Sequence, residues 1–423
     1  MTATLTMQRN IATNAAEAAA ANWDVIIIGA GPAGSCAACA AAAAGMRVLL
    51  LDKAVFPRNK VCGCCLAPAG QRALREAGLG AVLAEAGTIR KLRLHAGRRS
   101  TELPTARYAV ISRQSLDSGL ISQAASRGVT VLTGVAARIR GGDVAVTTVG
   151  QGRTEHTLRA KCIIAADGLS GTSLAEVPGS EWTIAPRSRM GCGLLLTRPP
   201  LPMGDDQIVM LTHRAGYLGL VHLPCGGIDA AAAICPIAAK RAGGPMPLLA
   251  EIIRQSGGDA NVLDGVQLMG TGLLTRKRKV AIGNVLIAGD AAGYVEPFTG
   301  EGMSWAITTG LAAGQCAAQM VTENLPIGAQ FSPEASQLWR ATHRRLIGRR
   351  QMACGIVAAL TQHSIVPRCI VTLANLWPAP VAHIASRLGG FHTAASSPPP
   401  NTGNLKPVPS AGSHSNTPAG AHL

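Results

Sequence analysis

Three cysteines occur within four positions of the stretch KVCGCCLAP, residues 60–68. Thiols at this density could hold a metal ion, form a disulfide or act as a redox pair. A zinc site needs about four ligands at suitable spacing, whereas Cys62, Cys64 and Cys65 are crowded together without a neighbouring histidine. We therefore expect no metal site. A disulfide or redox pair stays open, as does a loop whose role is set by the elements around it.

A glycine motif that could bind a dinucleotide precedes this stretch. Gly29, Gly31 and Gly34 form G-x-G-x-x-G directly after the apolar strand DVIII. The first glycine permits a tight turn, the second lets the backbone approach a pyrophosphate, and the third allows close helix packing. The next predicted strand, RVLLLD, ends in Asp52, 23 residues after Gly29, near the spacing of the acid that holds ribose hydroxyls. These features predict a Rossmann-type unit.

Two further strand-to-turn signals follow, in AKCIIAADGLSG and in NVLIAGDAAGYVEPFTGEGM. Together with the glycine motif, and in this order, they resemble the FAD-dependent flavoproteins that include geranylgeranyl reductases and para-hydroxybenzoate-hydroxylase-type monooxygenases. Asp167 and Gly168 are similar to the central Asp-Gly motif of that family, and Gly289 and Asp290 to its second FAD motif. The resemblance covers roughly residues 23–385.

The resemblance implies that FAD is the cofactor. In the family an arginine in the pattern R-x-x-L-D-x-x-L contacts FAD, and Arg113 holds that place here. The implied FAD-binding residues are Gly29, Gly31, Ala33, Gly34, Asp52, Lys53, Arg58, Lys60, Gly63, Arg113, Asp167, Gly168, Gly289, Asp290, Pro297, Gly300, Gly302 and Met303. No second G-x-G-x-x-G follows a strand, so electrons would come from NAD(P)H binding transiently or from a partner reductase.

The second FAD motif also has a physical interpretation. Asp290 follows the strand VLIAG, so its carboxylate would lie at the strand's C-terminal edge, where it can accept hydrogen bonds from ribityl hydroxyls. Pro297, Gly300 and Gly302 form a turn that leads into the helix MSWAITTGLAAG. The N–H groups at this helix start would favour the negative charge that a reduced flavin develops.

The cysteine stretch fits the same family. Geranylgeranyl reductases and related quinone-tail reductases have F-P-R-x-K-x-C-G-x-x-L-x-P at this point, and the chain matches it from Phe56 to Pro68. The resemblance implies a loop against the flavin and the substrate cavity, with Arg58 or Lys60 serving the FAD phosphates or the anionic flavin. Only Cys62 corresponds to a family cysteine, so it is the candidate catalytic residue. The two cysteines after it fill variable positions and are expected to be less essential.

The strand expected to face the substrate departs from the family. Prenyl reductases have Tyr-x-Trp-x-Phe-Pro there, whereas this chain has Tyr217, Gly219 and Val221, followed by His222. The first three are the predicted substrate contacts, in a wider cavity that could take a bulkier ring. We expect His222 to face solvent rather than to act as a catalytic acid.

Two reactions share this FAD frame. In the first, a geranylgeranyl-reductase-like enzyme transfers hydride from reduced FAD to a C=C bond of a hydrophobic small molecule, which the K-x-C-G loop favours. In the second, a monooxygenase hydroxylates an aromatic or polyketide-like ring, which the loss of the aromatic lipid motif favours. A non-catalytic redox sensor is a third alternative, and the complete flavin-facing turn at residues 296–302 argues against it.

Composition limits location and partners. The chain has 423 residues, is 48% hydrophobic and carries a formal net charge of +16. No basic stripe interleaved with aromatics occurs, so we expect no nucleic-acid partner. The N-terminus lacks a continuous apolar core and the cysteines have no regular spacing, which together indicate a cytoplasmic location. The basic stretch WRATHRRLIGRRQ, followed by apolar ACGIVAAL, suggests a peripheral contact with the inner membrane surface.

The elements that position these residues predict an α/β fold. Buried strands rich in Ile and Val indicate a Rossmann-like FAD-binding domain. Alternating, Gly-punctuated stretches such as QIVMLTH and GYLGLVHL indicate an interleaved antiparallel β-sheet substrate domain. The predicted organisation is a disordered extension at 1–22, an FAD-binding domain at 23–75, 105–188 and 272–325, a substrate domain at 76–104 and 189–271, C-terminal helices at 326–395 and a disordered tail at 396–423.

Overall fold

The structure is a computed structural model that describes residues 14–150, 154–296, 298, 300–321, 325–360, 365–377 and 380. Residues 1–13 of the predicted extension, Pro297, and the predicted tail at 396–423 lie outside the described residues, as do residues 381–395.

The described elements alternate between helices and strands. The α-helices are α1 Ala15–Ala19, α2 Pro32–Ala43, α3 Pro68–Glu76, α4 Arg113–Ser126, α5 Pro236–Arg241, α6 Pro245–Gln255, α7 Gly302–Met320, α8 Pro333–Leu360 and α9 Ile365–Leu376. The strands are β1 Trp23–Ile28, β2 Val48–Asp52, β3 Cys65–Leu66, β4 Gly87–Ala96, β5 Arg99–Val110, β6 Thr130–Thr133, β7 Val135–Arg140, β8 Asp143–Thr148, β9 Glu155–Leu158, β10 Ala160–Ala165, β11 Thr183–Ile184, β12 Met190–Leu196, β13 Gln207–His213, β14 Gly216–His222, β15 Ile228–Ile234, β16 Met269–Leu273, β17 Arg276–Lys277, β18 Ala281–Ile282, β19 Val285–Ile287 and β20 Gly293–Tyr294.

A six-stranded sheet, in the order β18-β19-β10-β1-β2-β6, forms the first unit. Its neighbouring pairs are parallel except for β18 with β19. Helices α2, α4 and α7 cover one face, and α1 with the small sheet β7-β8-β9 covers the other. Because both faces are covered, the central strands are apolar at nearly every position, and all of β2 is buried. This arrangement confirms the Rossmann-like part of the prediction.

Helices α2 and α7 pack closely because glycines lie at their contact. A Cβ on Gly310 would overlap the carbonyl oxygen of Ala33, and one on Gly314 would overlap that of Ala37. The two cysteines of α2 are fully buried in the same core. Small residues are therefore required in both helices, because the backbones of α2 and α7 pack at van der Waals distance.

The second sheet has eight strands in the order β16-β12-β15-β14-β13-β4-β5-β3. Its pairs are antiparallel except for β13 with β4. Helices α5 and α6 cover one face. This confirms the interleaved antiparallel sheet. However, β3 belongs to it although it lies in the predicted FAD-binding range 23–75, and β5 crosses the predicted limit between residues 104 and 105. The reason is continuous pairing, since β4 and β5 form one hairpin from Ala96 opposite Arg99 to Gly87 opposite Val110.

Residues 14–22 form ordered structure where disorder was predicted. The side chain of Asn14 caps α1 by accepting a hydrogen bond from the Glu17 amide at 2.9 Å. Ala18 is buried against the parallel sheet, and its carbonyl oxygen accepts a hydrogen bond from Trp23 Nε1 at 2.9 Å. Alanine loses little side-chain entropy on burial, so a short alanine helix can cover a sheet face that composition alone does not reveal.

The C-terminal helices pack on both units. Helix α8 contacts α7, and its Trp339 donates a hydrogen bond from Nε1 to the carbonyl oxygen of Val280 at 2.8 Å. Helix α9 lies on β4 and β5, where the Asn375 amide donates to the carbonyl oxygen of Ser100 at 3.2 Å. Among the described helices, none is both long enough and apolar enough to cross a membrane.

Candidate active site

A cavity of about 900 Å³ is lined by residues of both large sheets. Its size is near the upper end for small-molecule sites. The predicted FAD-binding residues that line it are Gly29, Gly31, Ala33, Asp52, Lys53, Arg58, Lys60, Gly63, Arg113, Asp167, Gly168, Asp290, Gly300, Gly302 and Met303. Gly34 and Gly289 lie outside its lining, because each packs a helix against a neighbouring backbone or side chain.

The glycine turn after β1 depends on close backbone approach. A Cβ on Gly34 would overlap the carbonyl oxygen of Gly29. Gly29 itself has φ +104°, and a Cβ there would lie 2.5 Å from the carbonyl oxygen of Ala166 at the end of β10. These two glycines therefore serve the fold of the turn.

Gly31 differs because space for a side chain exists there. The atoms nearest to a Cβ on Gly31 would be Arg113 Nη2 at 3.6 Å and Arg58 Nη2 at 3.9 Å, both at the ends of long side chains. The residue is the N-cap of α2 and lines the cavity. The bare backbone at Gly31 thus leaves a cradle between a helix N-terminus and two cations, which suits a phosphate group.

Asp52 is held rigidly at the end of β2. Its Oδ2 accepts a hydrogen bond from the Ala30 amide at 2.7 Å, and its Oδ1 accepts one from the Ala54 amide at 2.8 Å. Arg58 Nη2 lies 3.7 Å from Oδ2. The carboxylate therefore stays beside the glycine turn, where the ribose of a dinucleotide is bound in this kind of fold.

A buried carboxylate positions both cavity arginines. Arg113 Nε and Nη2 donate to the two oxygens of Asp117 at 3.0 and 2.8 Å, and Arg58 Nη1 lies 3.1 Å from Asp117 Oδ2. Burial acts to lower the pKa of Arg113, but Asp117 and Cys62 outweigh it and raise that pKa above its ordinary value. Arg113 thus remains a permanent cation beside the Gly31 cradle.

Lys60 connects the cysteine loop to the Asp-Gly turn. Lys60 Nζ lies 2.8 Å from the position of a Cβ on Gly168, and the φ of +72° at Gly168 is a conformation that favours glycine. Burial and the neighbouring Arg113 lower the pKa of Lys60, while Asp290 opposes them. Burial raises the pKa of Asp290, and Lys60, Arg113 and Arg276 counteract it. Asp290 is thus a carboxylate surrounded by cations inside the cavity.

Asp167 retains unused capacity to accept a hydrogen bond. Its Oδ2 accepts from the Ser173 amide at 2.8 Å, while its buried Oδ1 has no hydrogen-bond partner among the described residues. Burial raises the pKa of Asp167, and Ser173 and Arg278 act in the opposite sense. An unpaired buried acceptor costs about 1–3 kcal/mol, which a ligand hydroxyl or water would recover. This acceptor and the Gly31 cradle fit FAD.

The cysteine loop forms one wall of the cavity. Cys62 and Cys65 line it, and Cys64 is buried behind them with φ +51°, a left-handed conformation that non-glycine residues rarely adopt. The Cys64 thiol lies beside Cys62 and the carboxyl group of Asp229 on β15 and lowers the pKa of both groups. The sequence did not indicate this influence of Cys64, because Asp229 is distant along the chain.

The pKa values of Cys62, Cys64 and Asp229 are shifted in different directions. The hydrogen bond from Cys64 is the main cause that lowers the pKa of Cys62 to about 6, and nearby Arg113 adds to it against the effect of burial. The pKa of Cys64 is raised by its bond to Cys62 and by burial, and burial also raises the pKa of Asp229. The shifts therefore favour a thiolate at Cys62, which faces the cavity, and the protonated forms of Cys64 and Asp229 behind it.

We expect Cys62 to be the most reactive thiol of the cavity. Since its pKa is about 6, its alkylation by iodoacetamide should rise from about pH 5 to about pH 7 and then level off, because the thiolate is the nucleophile. Cys64→Ala removes the hydrogen bond and should move the midpoint upward by at least about one pH unit. Peptide mass spectrometry identifies the labelled residue.

Cys65→Ala is the matched control and should leave that midpoint unchanged. A midpoint that is the same in the wild type and in Cys64→Ala would contradict the assigned hydrogen bond.

The predicted substrate contacts all lie on one side of β14. Tyr217, Gly219 and Val221 line the cavity at alternate positions of the strand, and Gly219 pairs with Met210 on one side and Ala231 on the other. The Tyr217 ring packs edge-on against Phe298, with centroids 5.0 Å apart. His222 is absent from the cavity lining and is half-buried, with Nδ1 3.7 Å from Asp205 Oδ1.

Several lining residues were missed from the sequence. Tyr294 and Phe298 lie inside the second FAD motif, and the motif itself could have indicated them. Arg276 belongs to the basic run TRKRK, and its guanidinium lies 4.7 Å from the centroid of the Trp182 ring. Nothing in the run indicates that Arg276 would face Asp290, because that contact depends on the antiparallel pairing of β17 with β20.

Comparison with known proteins agrees with this geometry. The family described as FAD binding domain matches residues 22–324. A menaquinone reductase of Mycolicibacterium smegmatis is 28% identical over 71% of this chain and 76% of its own length. A digeranylgeranylglycerophospholipid reductase of Methanococcoides burtonii is 25% identical over 76% of this chain and 80% of its own.

Among solved structures, a flavoprotein/dehydrogenase from Cytophaga hutchinsonii has the same fold, with a TM-score of 0.71 at 19% identity over 88% of this chain and 93% of that one. The family match spans the glycine turn, the Asp-Gly turn and the second FAD motif, which are the elements that surround the cavity. The chain therefore belongs to the FAD binding domain family and is an FAD-dependent oxidoreductase.

Proposed function

We propose that this enzyme is a reductase that adds hydride from reduced FAD to a C=C bond of a hydrophobic, prenylated small molecule. The observation that supports it is the position of the K-x-C-G loop, since Lys60, Cys62 and Gly63 line the cavity between the dinucleotide residues and the apolar strands. The two relatives named above are reductases of menaquinone and of a digeranylgeranylglycerophospholipid. NAD(P)H or a partner reductase would supply the electrons.

The residues near the glycine turn would bind the cofactor. Asp52 would hold ribose hydroxyls, Arg58 and Arg113 the phosphates, and Asp290 the hydroxyls of the ribityl chain. FAD supplies, when bound and reduced, the hydride that the reaction needs. Because the buried arginines are fixed by Asp117, they require little reorganisation to receive an anion.

The opposite half of the cavity would hold the substrate. Its lining is largely apolar and includes Ile208, Met210, Val221, Met269 and Leu274. Such a wall excludes water and suits a hydrocarbon chain rather than a charged metabolite.

The Arg189–Glu296 ion pair lies behind Tyr217 and does not make this half of the cavity charged. Its N–O distance is 2.6 Å and both side chains are almost fully buried, with the guanidinium 5.6 Å from the centroid of the Tyr217 ring. The pair would hold Tyr217 against the substrate.

Reduction of a C=C bond also needs a proton on the second carbon. The series from Asp229 through Cys64 to Cys62 would deliver it, because burial raises the pKa of Asp229, the bond to Cys62 and burial raise the pKa of Cys64, and Cys62 lines the cavity. Negative charge that develops on the substrate beside Cys62 would raise the pKa of this thiol. The Cys62 thiolate would then take up a proton from Cys64 and pass it to the second carbon of the substrate.

Oxygen dependence tests the proposal. The holoenzyme, reduced with dithionite under nitrogen and then freed of excess dithionite, should convert a geranylgeranyl lipid, or a menaquinone whose ring is reoxidised before measurement, into a product two hydrogen atoms heavier by mass spectrometry. Cys62→Ala should slow this conversion at least about a hundredfold, in the range usual for a proton-transfer group. A product that forms only in air and contains one more oxygen atom would contradict the reductase and support a monooxygenase, which the small residues Gly219 and Val221 would suit.

A further inference from the structure

Large apolar side chains are exposed near the C-terminal end of the described chain. Met352 and Ile356 of α8 are 65% and 58% exposed, and Ile365, Leu376 and Trp377 in or next to α9 are 68%, 65% and 62% exposed. Exposed apolar side chains are common singly, but a concentration of them in two consecutive helices marks a surface that binds a partner or a membrane.

Helix α9 exposes apolar side chains on the side away from the sheet. Its inward residues, Pro367, Val371 and Ala374, are buried against the eight-stranded sheet. Besides the polar Arg368, Thr372 and Asn375, its exposed residues include four large apolar ones, Ile365, Ile370, Leu373 and Leu376. These four give the outward side an apolar surface that a membrane or partner could cover.

The outward stripe of α8 combines exposed apolar side chains with positive charge. Arg345, Arg349, Met352 and Ile356 are exposed and follow one another at spacings of four, three and four residues, which places them on one side of the helix. Neither of these arginines forms a salt bridge with a described carboxylate. Their charge is therefore available to an external anion.

The inward face of α9 reaches the substrate half of the cavity. Val371, 1% exposed, packs in the same cluster as Met210 and Tyr217. A partner on the outward face would consequently lie about one helix diameter, roughly 10 Å, from the apolar cavity wall.

We propose that the outward faces of α8 and α9, here called the C-terminal face, dock on an anionic lipid bilayer. The apolar side chains would enter the boundary between head groups and acyl chains, and Arg345 and Arg349 would approach lipid phosphates. Charge distinguishes the bilayer from a second copy of the chain, because a symmetric dimer through this face would bring like charges together. The proposal does not depend on the substrate assignment, and binding is measured without turnover.

Vesicle flotation of the purified holoenzyme tests this docking. We expect the protein to float with vesicles of phosphatidylglycerol and phosphatidylcholine, to float much less with phosphatidylcholine alone, and to be released by high salt. Arg345→Gln combined with Arg349→Gln should weaken binding at least about tenfold. Leu376→Ser combined with Trp377→Ser should weaken it on both kinds of vesicle. The flavin spectrum and thermal unfolding check that each variant is folded.

Ile237→Ser is the matched control, because Ile237 is a single exposed residue of α5 at 64% exposure. This variant should float like the wild type. Absence of flotation in the wild type would overturn the proposal. So would equal flotation of all variants, or a dimer seen by sedimentation that the same substitutions dissociate while no vesicle binding occurs.

Discussion

Gly31→Val should yield a folded protein that purifies without FAD. The backbone at Gly31, with φ −78° and ψ −174°, is an extended conformation that valine adopts readily. Its side chain would project into the cavity toward Arg58 and Arg113, where the pyrophosphate is expected. We expect FAD to bind at least about tenfold more weakly, equivalent to about 1.4 kcal/mol or more. The flavin-to-protein absorbance ratio and a fluorescence titration with FAD measure the effect.

The control for added bulk is Gly270→Val on the edge strand β16. Gly270 also lines the cavity, but no atom lies within 4 Å of a Cβ there. This variant should retain FAD. A Gly31→Val protein that keeps a full complement of FAD would show that the cradle at the start of α2 does not receive the cofactor.

Asp117→Ala should cause the largest loss of stability among the cavity variants. Asp117 is fully buried and joins Arg113 and Arg58, so its removal leaves Arg113 without its carboxylate partner and Arg58 with only the 3.7 Å contact to Asp52. Breaking a buried ion pair in this way typically costs about 3–5 kcal/mol. Urea unfolding, compared at a fixed concentration of added FAD, gives the change in free energy of unfolding.

Glu176→Ala is the matched control, because Glu176 also joins two arginines but does so on the surface. Its carboxylate lies 3.0 Å from Arg138 Nη1 and 2.7 Å from Arg140 Nε. Water and salt screen such exposed pairs, so the variant should unfold at the same urea concentration as the wild type. Equal losses from Asp117→Ala and Glu176→Ala would contradict the account of the buried pair.

Local signals made much of the fold and site predictable. Gly29, Gly31 and Gly34 indicated the turn, and the strands around them are apolar because both sheet faces are covered. The pairing of Arg113 with Asp117 follows from a spacing of four residues on a helix. Short-range geometry of this kind is contained in the sequence pattern.

Contacts between distant segments were not predictable in the same way. The approach of Cys64 to Asp229 needs the loop before β3 to lie near β15, a contact that no spacing encodes. The approach of Arg276 to Asp290 likewise depends on the tertiary arrangement of short strands. The ordered structure of residues 14–22 was not predicted, because it depends on the alanines of α1 packing on one face of the parallel sheet.

The most direct test of the central claim is the spectrum of the bound flavin during a single anaerobic turnover. Reduced holoenzyme is mixed with a menaquinone or a geranylgeranyl lipid in the absence of oxygen, and the oxidised flavin band is followed together with the product. We predict that the band returns without oxygen, in proportion to the product that has gained two hydrogen atoms at a C=C bond of its prenyl chain. A flavin that stays reduced with every such substrate until air is admitted would contradict it.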